Sequence, residues 1–277
     1  MKIPISGYTE IAAVIGSPVR HSLSPLLYNT AFAELGIDWR FVAFDVAPGH
    51  AVDALAAMRT FGLRGMAVTM PHKDDVARLV DHPSDAVQRL AACNCVFRRG
   101  DDTLEGHNTD GDGLFDSIAE QTGFVVTGRR VVVFGAGGAA RSIIEAAGRG
   151  GATDIAVVNR SSDKAAVAAA LATTARVGAE DDIDRADLVV NATSVGMSGD
   201  ESLPFSPALL RPGLLVADIV YKPLVTPLLA EATRRGATPI DGLGMLIHQA
   251  ARQFTIWTGR QAPVSAMTTA ARATLST

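Results

Sequence analysis

Short apolar runs alternate with amphipathic stretches along almost the whole chain, the pattern of strands alternating with helices. In the first third, residues 11–15, 41–46 and 65–70 read as strands. Residues 25–35 read as a helix, with Ser24 as N-cap, Pro25 at the first helical position and Gly36 as the stop. Residues 51–61 read as a second helix that carries Leu55, Met58 and Phe61 on one face, and a third begins near Pro71. Residues 95–98 and a strand near Leu104 form a small ladder around a turn over 99–103. Such alternation favours mostly parallel pairing. A helix over 110–120 leads into βα units. Their strands are 131–134, 154–159, 188–191, 214–219 and 238–240, and their helices 139–149, 162–173 and 227–235. Helices over 245–257 and 265–275 close the chain. The whole predicts an α/β protein of two domains with a cleft between them. The first covers 1–108 and is completed by C-terminal helices within 244–277. The second, over 109–243, is a Rossmann-type, doubly wound dinucleotide-binding domain.

The second domain carries the clearest chemical signal. Val131 to Phe134 are apolar, and Gly135, Ala136, Gly137, Gly138 and Ala139 follow as a turn into a helix. Such a turn lets backbone approach a pyrophosphate and aims helix N–H groups at it. Ala140 takes the place of the third glycine, and a small residue there still permits close helix–strand packing. No acid ends the next strand, where an NAD-selective site places one for the ribose hydroxyls. Asn159, Arg160, Ser161 and Lys164 stand there instead, and the two cations suit a 2′-phosphate. Taken alone, the same residues also fit a solvated helix start, with Asp163 complementing its dipole.

Composition narrows the classes. The 277 residues carry a net charge of −4, which argues against nucleic acid or an anionic membrane as partner. No apolar run reaches the roughly 18 residues that a membrane span needs. The N-terminus lacks a signal-peptide core. Cys93 and Cys95 are spaced too far apart on a strand for an easy disulfide, so a cytoplasmic protein with reduced thiols is expected. The six histidines show no metal-ligand spacing, so no metal is expected.

Four segments of the first domain concentrate polar side chains. They are Gly-Ser-Pro-Val-Arg-His-Ser-Leu-Ser-Pro at 16–25, Val-Thr-Met-Pro-His-Lys at 68–73, Asn94 beside Cys95, and Gly-His-Asn-Thr-Asp at 106–110. Ser22 and Ser24 at a helix start form a cradle for a carboxylate, although Ser24 reads equally as a plain N-cap. Lys73 and Asp110 have ordinary readings too, as a surface lysine and a helix cap.

In this order and spacing the segments resemble the shikimate dehydrogenase family, including its quinate-using branch. The resemblance runs on through Gly-Ala-Gly-Gly-Ala, Asn-Arg-Ser and Asp-Gly-Leu-Gly-Met-Leu-x-x-Gln-Ala-Ala, and so covers nearly the whole chain. It implies reversible reduction of 3-dehydroshikimate to shikimate by NADPH, on the route to chorismate and the aromatic amino acids. By that resemblance Lys73 is the acid–base group and Asp110 its carboxylate partner. Ser22 and Ser24 hold the substrate carboxylate, and Thr69, Asn94, Tyr221 and Gln249 bind the rest of the substrate. Gly135 to Ala139 form the pyrophosphate loop, and Asn159, Arg160, Ser161 and Lys164 clamp the 2′-phosphate. Ile219 and Gly242 lie around the nicotinamide, and Asp85 falls where the family has an acidic residue near the cofactor. The expected partner is the small-molecule substrate, and the expected state a monomer or homodimer. Three positions depart from the pattern. Ala67 stands where the family usually has Asn, Tyr28 where His is common, and Cys95 where Thr follows Asn. The competing readings are a quinate/shikimate dehydrogenase using NAD, a relative acting on an amino-shikimate, and a non-catalytic nucleotide-binding regulator on the same fold. The last predicts loss of Lys73 or Asp110, and both are present.

Overall fold

A computed structural model describes residues 4–275. The backbone divides into two units. One comprises the residues up to Thr109 together with those from Gln249 onward, and the other runs from Asp110 to His248.

The first unit contains β1 (Glu10–Gly16), α1 (Ser24–Glu34), β2 (Trp39–Asp45), α2 (Ala51–Thr60), β3 (Gly65–Val68), α3 (Lys73–Leu79), β4 (His82–Pro83), α4 (Asp85–Leu90), β5 (Cys95–Arg98) and β6 (Leu104–His107). Its strands form one sheet in the order β2-β1-β3-β5-β6-β4. Mostly parallel pairing holds, with one exception. β1 pairs in parallel with β2 and β3, and β4 with β6, whereas β5 is antiparallel to both β3 and β6. The short turn between β5 and β6 can join only antiparallel strands, and it is closed by Arg99 N–H donating to the Thr103 carbonyl. The sheet buries Ile15, Leu55, Met58, Met66, Val76, Val96 and Leu104 in one cluster. Phe61, expected on the buried face of α2, lies past its end and is 77% exposed. A separate aromatic group forms where Tyr28 stacks on Phe41 and packs at a tilt against Trp257, at centroid distances of 4.2 and 5.0 Å. Gly65 admits this group, because a Cβ there would lie 2.4 Å from the Trp257 ring.

The start of α1 differs from expectation. Its N-cap is Leu23, with helical φ of −79° and an apolar side chain that cannot accept a hydrogen bond, and Ser24 is already helical. Ser22 serves instead, its Oγ accepting the Ser24 N–H at 3.2 Å.

The second unit contains α5 (Asp110–Thr122), β7 (Arg130–Phe134), α6 (Gly138–Arg149), β8 (Asp154–Val158), α7 (Ser162–Ala169), β9 (Ala175–Val177), β10 (Leu188–Asn191), β11 (Leu215–Asp218), α8 (Pro227–Arg234) and β12 (Thr238–Ile240). All six strands are parallel, in the order β12-β11-β10-β7-β8-β9. This is the doubly wound nucleotide-binding order, and it reverses direction between β7 and β10. A crevice at the carboxyl ends of those two strands is where such sheets take dinucleotides. Apolar clusters cover the sheet on two sides, one built on Val131, Val133, Ile143, Ile155 and Val190, the other on Val132, Val189, Val216, Leu228 and Leu229. α7 ends at Ala169, short of the expected 173, and the chain turns there toward the edge strand β9. A long helix, α9 (Gly242–Thr258), begins earlier than expected and crosses the boundary between the units, and α10 (Val264–Leu275) follows.

Candidate active site

Backbone hydrogen bonds gather the four polar segments at one end of the first sheet. Ser17 N–H donates to the Met70 carbonyl at 3.0 Å, and Thr69 N–H to that of Ile15 at 3.0 Å. Val68 N–H donates to Asn94 at 2.8 Å, and Asn94 N–H to His107 at 3.0 Å. Gly16 makes the first junction possible, since a Cβ there would meet the Thr69 methyl at 2.4 Å and the Met70 oxygen at 3.1 Å. Ser22 and Thr69 are half-buried beside these junctions, and Ser24 is buried at the helix start.

Lys73 is the first residue of α3, half-buried, and its carbonyl accepts the Cys93 N–H at 2.9 Å. His72 before it is fully buried, its Nε2 2.8 Å from the Val46 carbonyl. A carbonyl only accepts, so the ring proton sits on Nε2 and the ring is fixed. The backbone that delivers Lys73 is therefore held from both sides. The Asn94 side chain is buried and clipped to Thr109. Its Oδ1 accepts the Thr109 N–H at 2.9 Å, and its Nδ2 donates to Thr109 Oγ1 at 3.1 Å. Thr109 Oγ1 also lies 3.2 Å from the Gln249 carbonyl, placing Gln249 in the same cluster. Ala67 and Cys95, two departures from the family pattern, are directly opposite each other across β3 and β5, and both are buried. The two thiols are unbridged. Asp85 is exposed at the start of α4, in this first unit, whereas the other cofactor candidates belong to the second.

In the second unit, Gly135 has φ +115°, and a Cβ there would lie 2.8 Å from the Ala192 carbonyl oxygen. Only glycine suits that position. Gly137 and Gly138 are exposed, and a Cβ at either would meet nothing within 4 Å, so the turn faces open space. α6 begins at Gly138 with no side chain capping its N–H groups, an arrangement that accepts a phosphate. Ala136 and Ala139 flank the turn, half-buried. Beyond β8, Asn159 Nδ2 donates to the Ser161 carbonyl at 3.0 Å, and Ser161 Oγ caps α7 by accepting the Lys164 N–H at 3.4 Å. Arg160 and Lys164 are exposed, and among the described residues neither side chain is paired with a carboxylate.

A buried carboxylate organises the far side of this crevice. Asp218 accepts from Asn191 Nδ2 and Val220 N–H, both at 3.0 Å, and from the Thr226 hydroxyl at 2.7 Å. Burial pushes its carboxyl above the ordinary range, although these three donors pull the other way. It thereby ties together the ends of β10 and β11 and the start of α8. Ile219 follows it, its N–H donating to the Asn191 carbonyl at 3.1 Å, and Gly242 packs so closely that a Cβ would lie 2.3 Å from the Ile219 oxygen. Tyr221 is half-buried, which raises its phenol above the usual value. Asp110 is buried at the first position of α5. Among the described residues, no group of three or more His, Cys, Asp or Glu could hold a metal ion, and no helix is long and apolar enough to cross a membrane.

Reading the sequence missed Thr109 as the clip on Asn94, His72 as the anchor of Lys73, and Gln253. Gln253 alone left a signal, since it lies four residues beyond Gln249 on one helix and so shares its face.

Residues 14–96 match the family model of the shikimate dehydrogenase substrate binding domain, and residues 242–272 that of the shikimate 5'-dehydrogenase C-terminal domain. The chain is 42% identical to the shikimate dehydrogenase (NADP(+)) of Moorella thermoacetica, over 96% of this chain and 93% of that protein. Among solved structures it resembles shikimate 5-dehydrogenase from Listeria monocytogenes in complex with shikimate and NAD. The TM-score is 0.91 and the identity 34%, over 97% of this chain and 98% of that one. It also resembles the Thermus thermophilus enzyme in complex with NADP(H) and shikimate, with TM-score 0.88 and 33% identity, over 95% of this chain and 99% of that one.

Proposed function

Since this chain belongs to the shikimate dehydrogenase family, we propose that it catalyses the reversible, NADPH-dependent reduction of 3-dehydroshikimate to shikimate. The first unit is then the substrate domain and the second the NADP domain. The observation that carries this reading is the sheet end where Ser22, Thr69, Lys73, Asn94 and Gln249 are gathered by backbone and side-chain bonds. These are donors and acceptors suited to a small polyhydroxylated acid.

The cofactor fits the residues present. The glycine turn leaves room for a pyrophosphate at the start of α6, and Arg160 and Lys164, paired with no carboxylate among the described residues, stand where a 2′-phosphate is expected. Ile219 and Gly242 border the nicotinamide end in this reading. When bound, NADPH supplies the hydride. The remaining work belongs to the chain. Lys73, as ammonium, hydrogen-bonds the ketone oxygen and gives it a proton as negative charge develops there. Asp110 orients Lys73. Ser22 and Ser24 hold the ring carboxylate at the positive end of α1. Asn94, Thr69, Tyr221 and Gln249 bind the ring oxygens. A substrate lacking one of them leaves a site group unpaired, which is the source of specificity.

The test is the reduction itself. Purified protein given 3-dehydroshikimate and NADPH should consume the reduced-nicotinamide absorbance and yield shikimate, identified by chromatography against a standard. Oxidation of NADPH without formation of shikimate would refute the reading.

A further inference from the structure

The departure at Tyr28 has a partner in the structure. Tyr28 is fully buried and packed against Phe41 and Trp257, which also contact each other. Its hydroxyl donates to Gln253 Oε1 at 2.7 Å. Gln253 is 1% exposed, and its Nε2 faces three acceptors: Gln249 Oε1 at 2.8 Å, the Asn94 carbonyl at 3.2 Å and Thr109 Oγ1 at 3.2 Å. Two of these can only accept. A flipped amide would set the Gln253 oxygen against the Gln249 and Asn94 oxygens and leave its NH2 on the tyrosine hydroxyl. The accept-only Asn94 carbonyl therefore fixes the orientation of Gln253, the Tyr28 hydroxyl satisfies and holds the amide oxygen that this orientation leaves in the core, and Gln253 in turn holds Gln249. The same Gln253 amide bonds the backbone of Asn94 and the side chain of Thr109, the residue before Asp110.

We propose that Tyr28 and Gln253 are positioning residues for substrate recognition, a buried relay that holds the Gln249 side chain, the Asn94 backbone and Thr109 in register. The inference rests on the proposed function, because it acts through Gln249 and Asn94 as substrate contacts. It assigns a role to Gln253 and gives a physical reason for tyrosine at position 28.

Tyr28→Phe removes one oxygen and keeps the ring. It should raise KM for shikimate about five- to tenfold, the worth of one well-placed neutral hydrogen bond. KM for NADP+ should stay within about twofold, because the relay touches only the substrate side. Gln253→Met keeps the side-chain length without the amide and should have the same selective effect. The double variant should be no worse than Gln253→Met alone, since the two side chains act through one bond. Calorimetric titration of shikimate into the protein without cofactor gives a second readout and should show the same loss of affinity. Thermal melting checks folding, and if either variant fails to fold, the other carries the test. Unchanged shikimate affinity in a folded variant, equal rises in both KM values, or fully additive effects would overturn the inference. Absence of shikimate turnover by the wild-type protein would instead overturn the reading beneath it.

Discussion

Replacing Arg160 and Lys164 together by alanine isolates the proposed 2′-phosphate contact from everything else in the second unit. Both side chains are exposed, and among the described residues neither pairs with a carboxylate, so their removal strands no buried charge. Surface changes of this kind shift stability by no more than about 0.5 kcal/mol. The cap on α7 survives, because Ser161 Oγ accepts from the backbone N–H of residue 164 and not from the lysine side chain. The cost falls on the phosphate. A hydrogen bond to a charged group is worth about 1.5–3 kcal/mol, and exposure places these two at the low end. Two bonds then amount to about 3 kcal/mol, or roughly 150-fold in KM for NADP+ at about 1.4 kcal/mol per decade. NAD+ lacks the phosphate, so its KM should move less than about twofold. Initial rates with saturating shikimate and varied cofactor measure both values. Added salt should raise KM for NADP+ in the wild type and much less in the double variant, because screening acts on exposed charges. Asp163, exposed on the same turn, repels a phosphate, and Asp163→Asn should lower KM for NADP+ slightly. Parallel losses for NADP+ and NAD+ would overturn the assignment, because they would place the two cations in the fold and not on the phosphate.

Three further outcomes follow from the same geometry. Lys73→Ala should lower kcat by about 10²–10⁴-fold with little change in KM, and Lys73→Ala/Asp110→Asn should be scarcely worse, because groups acting as a unit are non-additive; steady-state kinetics on the three variants check this. Ser22→Ala/Ser24→Ala should raise KM for shikimate while leaving that for NADP+, and the methyl ester of shikimate, already a poor substrate, should lose less than the acid does. The Asp182 carboxyl is pulled down to about 2 by Arg176, so it contributes stability above the ordinary aspartate range that is lost as pH falls toward 2; Arg176→Ala should flatten the melting temperature against pH between about pH 4 and pH 2.

The nucleotide turn was legible because its chemistry is local. A glycine at φ +115° and open space beside Gly137 and Gly138 leave their mark directly in the residue types. The βα rhythm of the second unit was legible for the same reason, since strand length and helix period are short-range patterns. The antiparallel entry of β5 was not legible, because pairing between β3 and β5 joins residues some thirty positions apart across two helices. α4, at six residues, is too short to display a helical period. The start of α1 was misread because two serines compete for one role, and which of them caps depends on the backbone of Leu23. Gln253 was passed over because a glutamine on an amphipathic helix reads as solvent-facing, and only the tertiary structure encloses it with Tyr28, Asn94 and Thr109. Asp85 entered by resemblance alone, and its exposed place at the start of α4 supplies no physical support for a cofactor role.

Substrate and cofactor choice can be read together in a single experiment: shikimate and quinate, each with NADP+ and with NAD+, followed by the growth of the reduced-nicotinamide absorbance. Shikimate with NADP+ should have the highest kcat/KM, with quinate or NAD+ costing at least about tenfold each, as expected where a site group or a charged contact loses its partner. Higher kcat/KM with quinate and NAD+, or no turnover with any pair, would contradict the proposed function.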